Sequence, residues 1–209
     1  MTDAAAKLTP LGVVVLALLR EGEMHPYEML RLLRQRRKDR VVAIANGTFY
    51  HTVSRLEAAG LLTEVGVDRA GNRPERTTYA LTAAGYDIVA DWVRRELPRI
   101  DRPAEFRVAL AEAHNLPRDE VVELLATRRE LVAADLAAHR VSAARTQSRG
   151  IPAQFVVDIE RDEALLAADL AWLDDLILRL TSRRIPWGWS EIPADTLDQL
   201  RTHREALTT

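Results

Sequence analysis

Between Ala45 and Leu62 the chain sets Thr48, His51, Ser54 and Arg55 close together with Tyr50 beside them. Hydroxyl, imidazole and guanidinium groups of this kind hydrogen-bond to base edges and phosphate oxygens, and nothing in their order resembles a nucleophile with its base. Phe49, Val53 and Leu56 are spaced by four and three residues, so they fall on one face of a helix and leave His51, Ser54 and Ala58 on the other. Gly60 ends the helix. This is the pattern of a short capped recognition helix. An ordinary solvated helix would carry more long Glu and Lys side chains on its outer face. The flanking elements must decide between the two.

Those flanks supply the rest of a winged helix-turn-helix. Thr9 as N-cap and Pro10 at the first helical position open an apolar helix holding Leu11, Val14, Val15, Leu18 and Leu19. After Glu21-Gly22-Glu23, a second helix starts at Pro26. Met29, Leu30, Leu32 and Leu33 form its inner side, and Arg34, Arg36, Arg37, Lys38 and Arg40 stand at its end. Cations there complement the helix dipole and are also placed for phosphates. Beyond the third helix, Leu62–Val67 reads as a strand, Asp68–Asn72 as a turn and Thr77–Leu81 as the returning strand. Arg73 and Arg76 project from this wing, suited to backbone or minor-groove contact. Thr82 caps a fourth helix carrying Tyr86, Ile88, Val89, Trp92 and Val93.

Three stretches together resemble the PadR-like transcriptional regulators: Gly47-Thr-Phe-Tyr50, Arg55-Leu-Glu-Ala-Ala-Gly-Leu-Leu62, and Arg73-Pro74 with Tyr79-Ala-Leu-Thr-Ala-Ala-Gly85. His25-Pro26-Tyr27-Glu28 is similar to the family's entry into the second helix, with Pro26 where Gly is usual. His51 stands where many members have proline. The resemblance covers residues 9–95 closely and 106–183 in helix order and length. It implies that Tyr50 contacts DNA and that the C-terminal helices form a homodimer with help from the fourth helix. It also implies that a flat aromatic effector binds between protomers, near Trp92. A tryptophan on an amphipathic helix is otherwise a core residue, and for Trp92 both readings stand.

Composition narrows the field. The 209 residues are 47% hydrophobic, enough for a core, and carry a net charge of −2. Residues 1–85 hold 12 Lys and Arg against 9 Asp and Glu, so any nucleic-acid footprint depends on where the arginines stand. With no cysteine there are no disulfides or thiolate metal sites, and a cytoplasmic chain is expected. The apolar run Leu11–Leu19 is far short of the ~20 residues that cross a bilayer. The five histidines are dispersed, no Gly-rich phosphate loop or nucleophile elbow occurs, and Asp174-Asp175 reads as an exposed helix face. Neither an enzyme, nor a metal site, nor a cofactor is expected.

After the breaks at Pro98 and Pro103, Phe106–Ala113 reads as a short helix, and Leu116–Glu120 opens a long one reaching about Gln147 with Val121, Leu124, Leu125, Leu131, Val132 and Leu136 as its stripe. Ser148–Pro152 turns the chain into a second long helix. There Leu166, Leu170, Leu173, Ile177 and Leu180 alternate by four and three residues, an a/d seam. The seam is expected to join two protomers, although two helices linked by one turn also fold back on themselves. Residues around Trp187-Gly-Trp189 read as cover for the helices or as a partner-binding tail.

The expected fold is therefore mainly α: a winged helix-turn-helix with its linking fourth helix over residues 1–97, a helical dimerisation unit over 98–185, and a tail over 186–209. The expected function is transcriptional regulation, most simply repression, by a homodimer on an inverted repeat of double-stranded DNA. Thr48, His51, Ser54 and Arg55 would read bases or neighbouring phosphates, Tyr27 and Tyr50 would fix the docking, and Arg73 and Arg76 would hold the flank. The alternative is a winged-helix module that binds protein; Glu57, Glu64 and Asp68 would then dominate the outer face.

Overall fold

The structure, a computed structural model, describes residues 8–68, 76–199 and 202. Three helices, α1 (Pro10–Leu18), α2 (Pro26–Gln35) and α3 (Asn46–Ala58), precede an antiparallel hairpin of β1 (Leu62–Asp68) and β2 (Arg76–Leu81). Then come α4 (Ala83–Glu96), α5 (Pro103–Ala111), α6 (Arg118–Ser148) and α7 (Val157–Thr181). The protein is thus mainly helical with one small sheet, in the order the sequence predicts.

Local chemistry explains the boundaries. The Thr9 hydroxyl accepts from the Gly12 amide at 3.2 Å with Pro10 behind it, and His25 Nδ1 accepts from the Tyr27 amide at 3.0 Å ahead of Pro26. The capped start expected for α3 is not found: Ala45 offers no side chain to the helix. Arg34 at the end of α2 instead donates to the Asn46 side chain, fixing the entry to α3 from outside. Gly60, at φ +69°, takes the left-handed conformation that ends the helix.

The helix α1 is buried on every side, and it forms the floor on which α3, α4 and α5 pack. At the wing's root, Tyr79 exchanges two backbone hydrogen bonds with Met24, both 3.0 Å. Thr82 accepts from the Gly85 amide at 3.1 Å and donates to the Gly60 carbonyl at 2.9 Å, so the cap of α4 also holds the exit of α3. A bulge at Val65 shifts the register between Leu62–Leu81 and Asp68–Arg76.

The C-terminal half departs from expectation at its seam. Helices α6 and α7 pack against each other as an antiparallel hairpin within one chain. Leu173 and Leu180 are wholly buried there, and Leu166, Leu170 and Ile177 pack against the same core. Part of the seam is thus covered within the protomer, while Leu166, Leu170 and Ile177 stay partly exposed; 3.6-residue periodicity reports a buried face without saying which chain covers it. On α6, Val121, Leu125, Val132 and Leu136 are buried, while Leu131 faces out. Arg128 takes a place in the stripe: its guanidinium lies 3.5 Å from the Phe106 ring centroid and donates to Asp169 at 3.2 Å. Burial pulls its pKa down, with Asp169 opposing.

The segment after α7 is tied to the start of α6. Buried Arg118 donates to the Leu180 and Ile185 carbonyls at 3.1 and 3.0 Å and to the Glu191 carboxylate. Glu191 also accepts from the Trp187 amide at 3.0 Å, and Trp187 Nε1 donates to the Leu116 carbonyl at 3.0 Å. Of the two readings of this tail, the described part is cover for the helices.

Two outcomes follow for stability. A Cβ on Gly85 would lie 2.4 Å from the Leu61 carbonyl oxygen and 2.7 Å from Leu81 Cδ1. Gly85→Ala should therefore destabilise the protein by about 1–3 kcal/mol, the range for overpacking. An unchanged midpoint in scanning calorimetry would mean that the α3 exit yields freely. The Arg118 guanidinium and the Trp187 amide hold the Glu191 carboxyl below the usual carboxylate range. Stability from this contact is complete above the ordinary glutamate pKa and is lost as pH falls through the lowered one. Acid titration should red-shift tryptophan emission in a step that Glu191→Gln lacks; identical titrations would detach the tail from this carboxylate.

Candidate nucleic-acid interface

The outer face of α3 rests on a rigid back. Phe49, Val53 and Leu56 are buried with Thr52, whose hydroxyl donates to the Thr48 carbonyl at 2.8 Å. Their burial leaves Gly47, Thr48, His51, Ser54, Arg55 and Ala58 facing solvent. Small residues at 47 and 58 keep the backbone approachable. Between them His51 and Arg55 offer donors, and Ser54 both donates and accepts.

Thr48, His51 and Arg55 line one side of a shallow depression whose other wall is Thr9 and Pro10 at the start of α1 and Val42 and Ala43 before α3. The Arg55 guanidinium lies 3.5 Å from the Thr9 hydroxyl. Tyr50 flanks the opposite edge, 44% exposed, its ring edge-on to Phe49 at 5.7 Å. Tyr27 stands 60% exposed in the first turn of α2. The expected contact residues of α2 and α3 are thus all accessible, divided between the α3 face and the opening of α2.

The wing is described in part. Arg73 lies outside the described residues. Arg76 opens β2 opposite Asp68, and its side chain is likewise not described. At the base of the hairpin, the Tyr79 hydroxyl donates to Glu57 Oε2 at 3.2 Å, so wing and recognition helix are bonded directly. Burial, then the Glu57 carboxylate, raise the Tyr79 pKa above the ordinary phenol value. The bond from Tyr79 to Glu57, twenty-two residues away, has no local signal in the sequence.

The basic run after α2 serves a different purpose from the one expected. Arg36 donates to Glu21, one contact at 2.8 Å, and Lys38 donates to Glu112 at 2.7 Å. Lys38 is drawn toward the buried Glu112 of a later element, whereas Arg36, an exposed residue, pairs with Glu21 just before α2. Trp92, only 1% exposed, is also a correction: its ring is enclosed by its own chain and presents no face to a ligand between protomers.

Among the described residues no cluster of three or more His, Asp or Glu is arranged to hold a metal ion, and no helix is long and apolar enough to cross a membrane.

No curated protein sequence matches the chain. Among solved structures, it is similar to Bacillus subtilis PadR in complex with operator DNA, at 19% identity over 81% of this chain and 98% of that one, with a TM-score of 0.40. The same protein in complex with p-coumaric acid is 18% identical over 83% and 99%, with a TM-score of 0.38. The PadR-like regulator BC1756 from Bacillus cereus is 16% identical over 83% and 99%, with a TM-score of 0.37. The model of the transcriptional regulator PadR-like family matches residues 15–91, from within α1 to within α4 and so across α2, α3 and the wing. The winged-helix portion is therefore where this chain is similar to the transcriptional regulator PadR-like family, over residues 15–91 of its 209.

Proposed function

We propose that the protein is a homodimeric, sequence-specific DNA-binding repressor that acts in the cytoplasm and is released by a small aromatic effector. The observation that carries the reading is the outer face of α3: accessible Thr48, His51, Ser54 and Arg55 on a helix whose opposite side is fully packed. A rigid helix with short polar side chains outward fits a major groove, with Tyr27 and Tyr50 on the backbone and Arg73 and Arg76 on the flanking phosphates or minor groove. The protein-binding alternative needs an acidic outer face. Glu57 is instead drawn to Tyr79 while Arg55 stays exposed.

A twofold dimer needs exposed surface beyond the wholly buried Leu173 and Leu180. On the outer face of α7, Leu165, Trp172 and Leu178 are exposed, with Ala164, Ala168 and Ala171 between them. Arg161 and Asp175 lie on the same face, so a copy placed antiparallel can match charge as well as apolar surface. We assign the homodimer contact to this stripe. Half-sites then fall about one helical turn, ~10 bp, or a multiple of it apart.

Titration against the DNA upstream of its own gene, at two salt concentrations and with unrelated competitor, tests the reading. Tight, competitor-resistant binding and a protected inverted repeat are expected; weak binding indifferent to sequence would reject it. Alanine at both Arg73 and Arg76 should weaken binding to all sequences alike and flatten the salt dependence by about one unit of slope per lost phosphate contact. An unaltered slope removes the wing from the footprint. For the dimer, Leu165→Glu with Trp172→Glu should give folded monomers of much lower operator affinity in analytical ultracentrifugation. Leu173→Glu should instead disrupt the α6–α7 hairpin itself. Dimers that survive the first pair would place the twofold elsewhere.

A further inference from the structure

The carboxylate of Glu57 stands where local chemistry argues against an anion. It belongs to the last turn of α3, the negative end of the helix dipole. It shares one edge of the helix with Tyr50, seven residues before it, and Ser54 of the outer face is one turn away. That edge lies against the root of the hairpin, since Glu57 meets Tyr79 of β2 there. A freely moving carboxylate on it would reach any phosphate drawn up beside the wing, and like charges repel.

The Tyr79 hydroxyl answers both problems. It donates to Glu57 Oε2 at 3.2 Å, with both side chains partly buried, so the anion is held over the hairpin. The donor is itself fixed: the Tyr79 backbone is bonded twice to Met24, at 3.0 Å each way, and pairs in register with Glu64 of β1. Burial, then the Glu57 carboxylate, raise the pKa of the phenol above its ordinary value, so the hydroxyl keeps its proton through the neutral range. We infer that Tyr79 is a positioning residue for DNA binding, whose hydroxyl holds the Glu57 carboxylate out of the path of the phosphate backbone on the wing side of α3. Tyr79 acts through Glu57 and needs no contact with DNA. The inference rests on the reading of the protein as a DNA-binding regulator.

Three charges around the pair have to be separated. Glu64, exposed on β1, lies opposite Tyr79 and adds to the pull on its proton. Arg55 stands on the other edge of α3, beside Thr9. Of the acids, only Glu57 is released when the hydroxyl is removed, so only its neutralisation should undo the loss.

Binding of the full-length protein to the duplex upstream of its own gene, and to an unrelated duplex at low salt, reads the effect, because repulsion by phosphate does not depend on sequence. Tyr79→Phe keeps the ring and the bonds to Met24 and removes the hydroxyl alone. It should weaken binding to both duplexes by about fivefold per half-site, the effect of one like-charge contact in water. Adding Glu57→Gln should restore most of that loss, whereas Glu57→Gln by itself should stay within about twofold of the unmodified protein. Glu64→Gln should change the unmodified and the Tyr79→Phe proteins by the same factor. Glu57→Asp, one methylene too short for the bond, is a second way to free the anion and should weaken binding with Tyr79 intact. Full affinity in both Tyr79→Phe and Glu57→Asp, or a loss in Tyr79→Phe that persists when Glu57→Gln is added, overturns the positioning role and leaves the DNA-binding reading standing. An unmodified protein that binds neither duplex overturns both.

Discussion

The position of Tyr79 constrains everything that the N-terminal half presents to solvent. Its backbone pairs with Met24 between α1 and α2, and its hydroxyl reaches Glu57 on α3. One residue thus joins the wing, the lead into the helix-turn-helix and the recognition helix. Three residues on, Thr82 joins the exit of α3 to the start of α4. Reading a groove requires side chains held to a fraction of an ångström. The outer face of α3 is held by two such anchor points, one on β2 and one just after it, with α1 as a close-packed floor beneath them.

The C-terminal half uses buried charge where the N-terminal half uses close packing. Arg118 and Arg128 are both nearly enclosed, and each binds backbone carbonyls from a distant segment as well as a carboxylate. A guanidinium presents five donors in a fixed fork, so it fixes several strands of chain at once in a way that an apolar residue cannot. Such groups add specificity of arrangement more than net stability, since their desolvation offsets much of the attraction. The result is a tail whose position is dictated by one side chain at the root of α6.

Much of this was legible in advance because its signals are local. Thr9-Pro10, Thr82 and Gly60 announced helix ends through cap chemistry, and Phe49, Val53 and Leu56 announced the inner face of α3 through their spacing. Pairings between distant residues were not legible. Arg36 and Lys38 looked like phosphate ligands because Glu21 and Glu112, which claim them, are brought near only by the fold. Leu173 and Leu180 gave a correct period but not the identity of the covering helix. Trp92 displayed amphipathic spacing, and only the packing shows that its ring is completely enclosed.

The α6–α7 hairpin has an uneven interior. Its last fully buried residue on α6 is Leu136 and the first on α7 is Leu173, so its far end, with Val141, Ile151, Phe155 and Val157 toward water, lies beyond the core. At 1.5 Å per residue, the twelve residues of α6 past Leu136 reach roughly 18 Å outward. An arm of that length with so little covering it opens by fluctuations that leave the rest of the fold intact. Backbone amides at this end of the molecule therefore exchange their hydrogens with solvent sooner than those of α1.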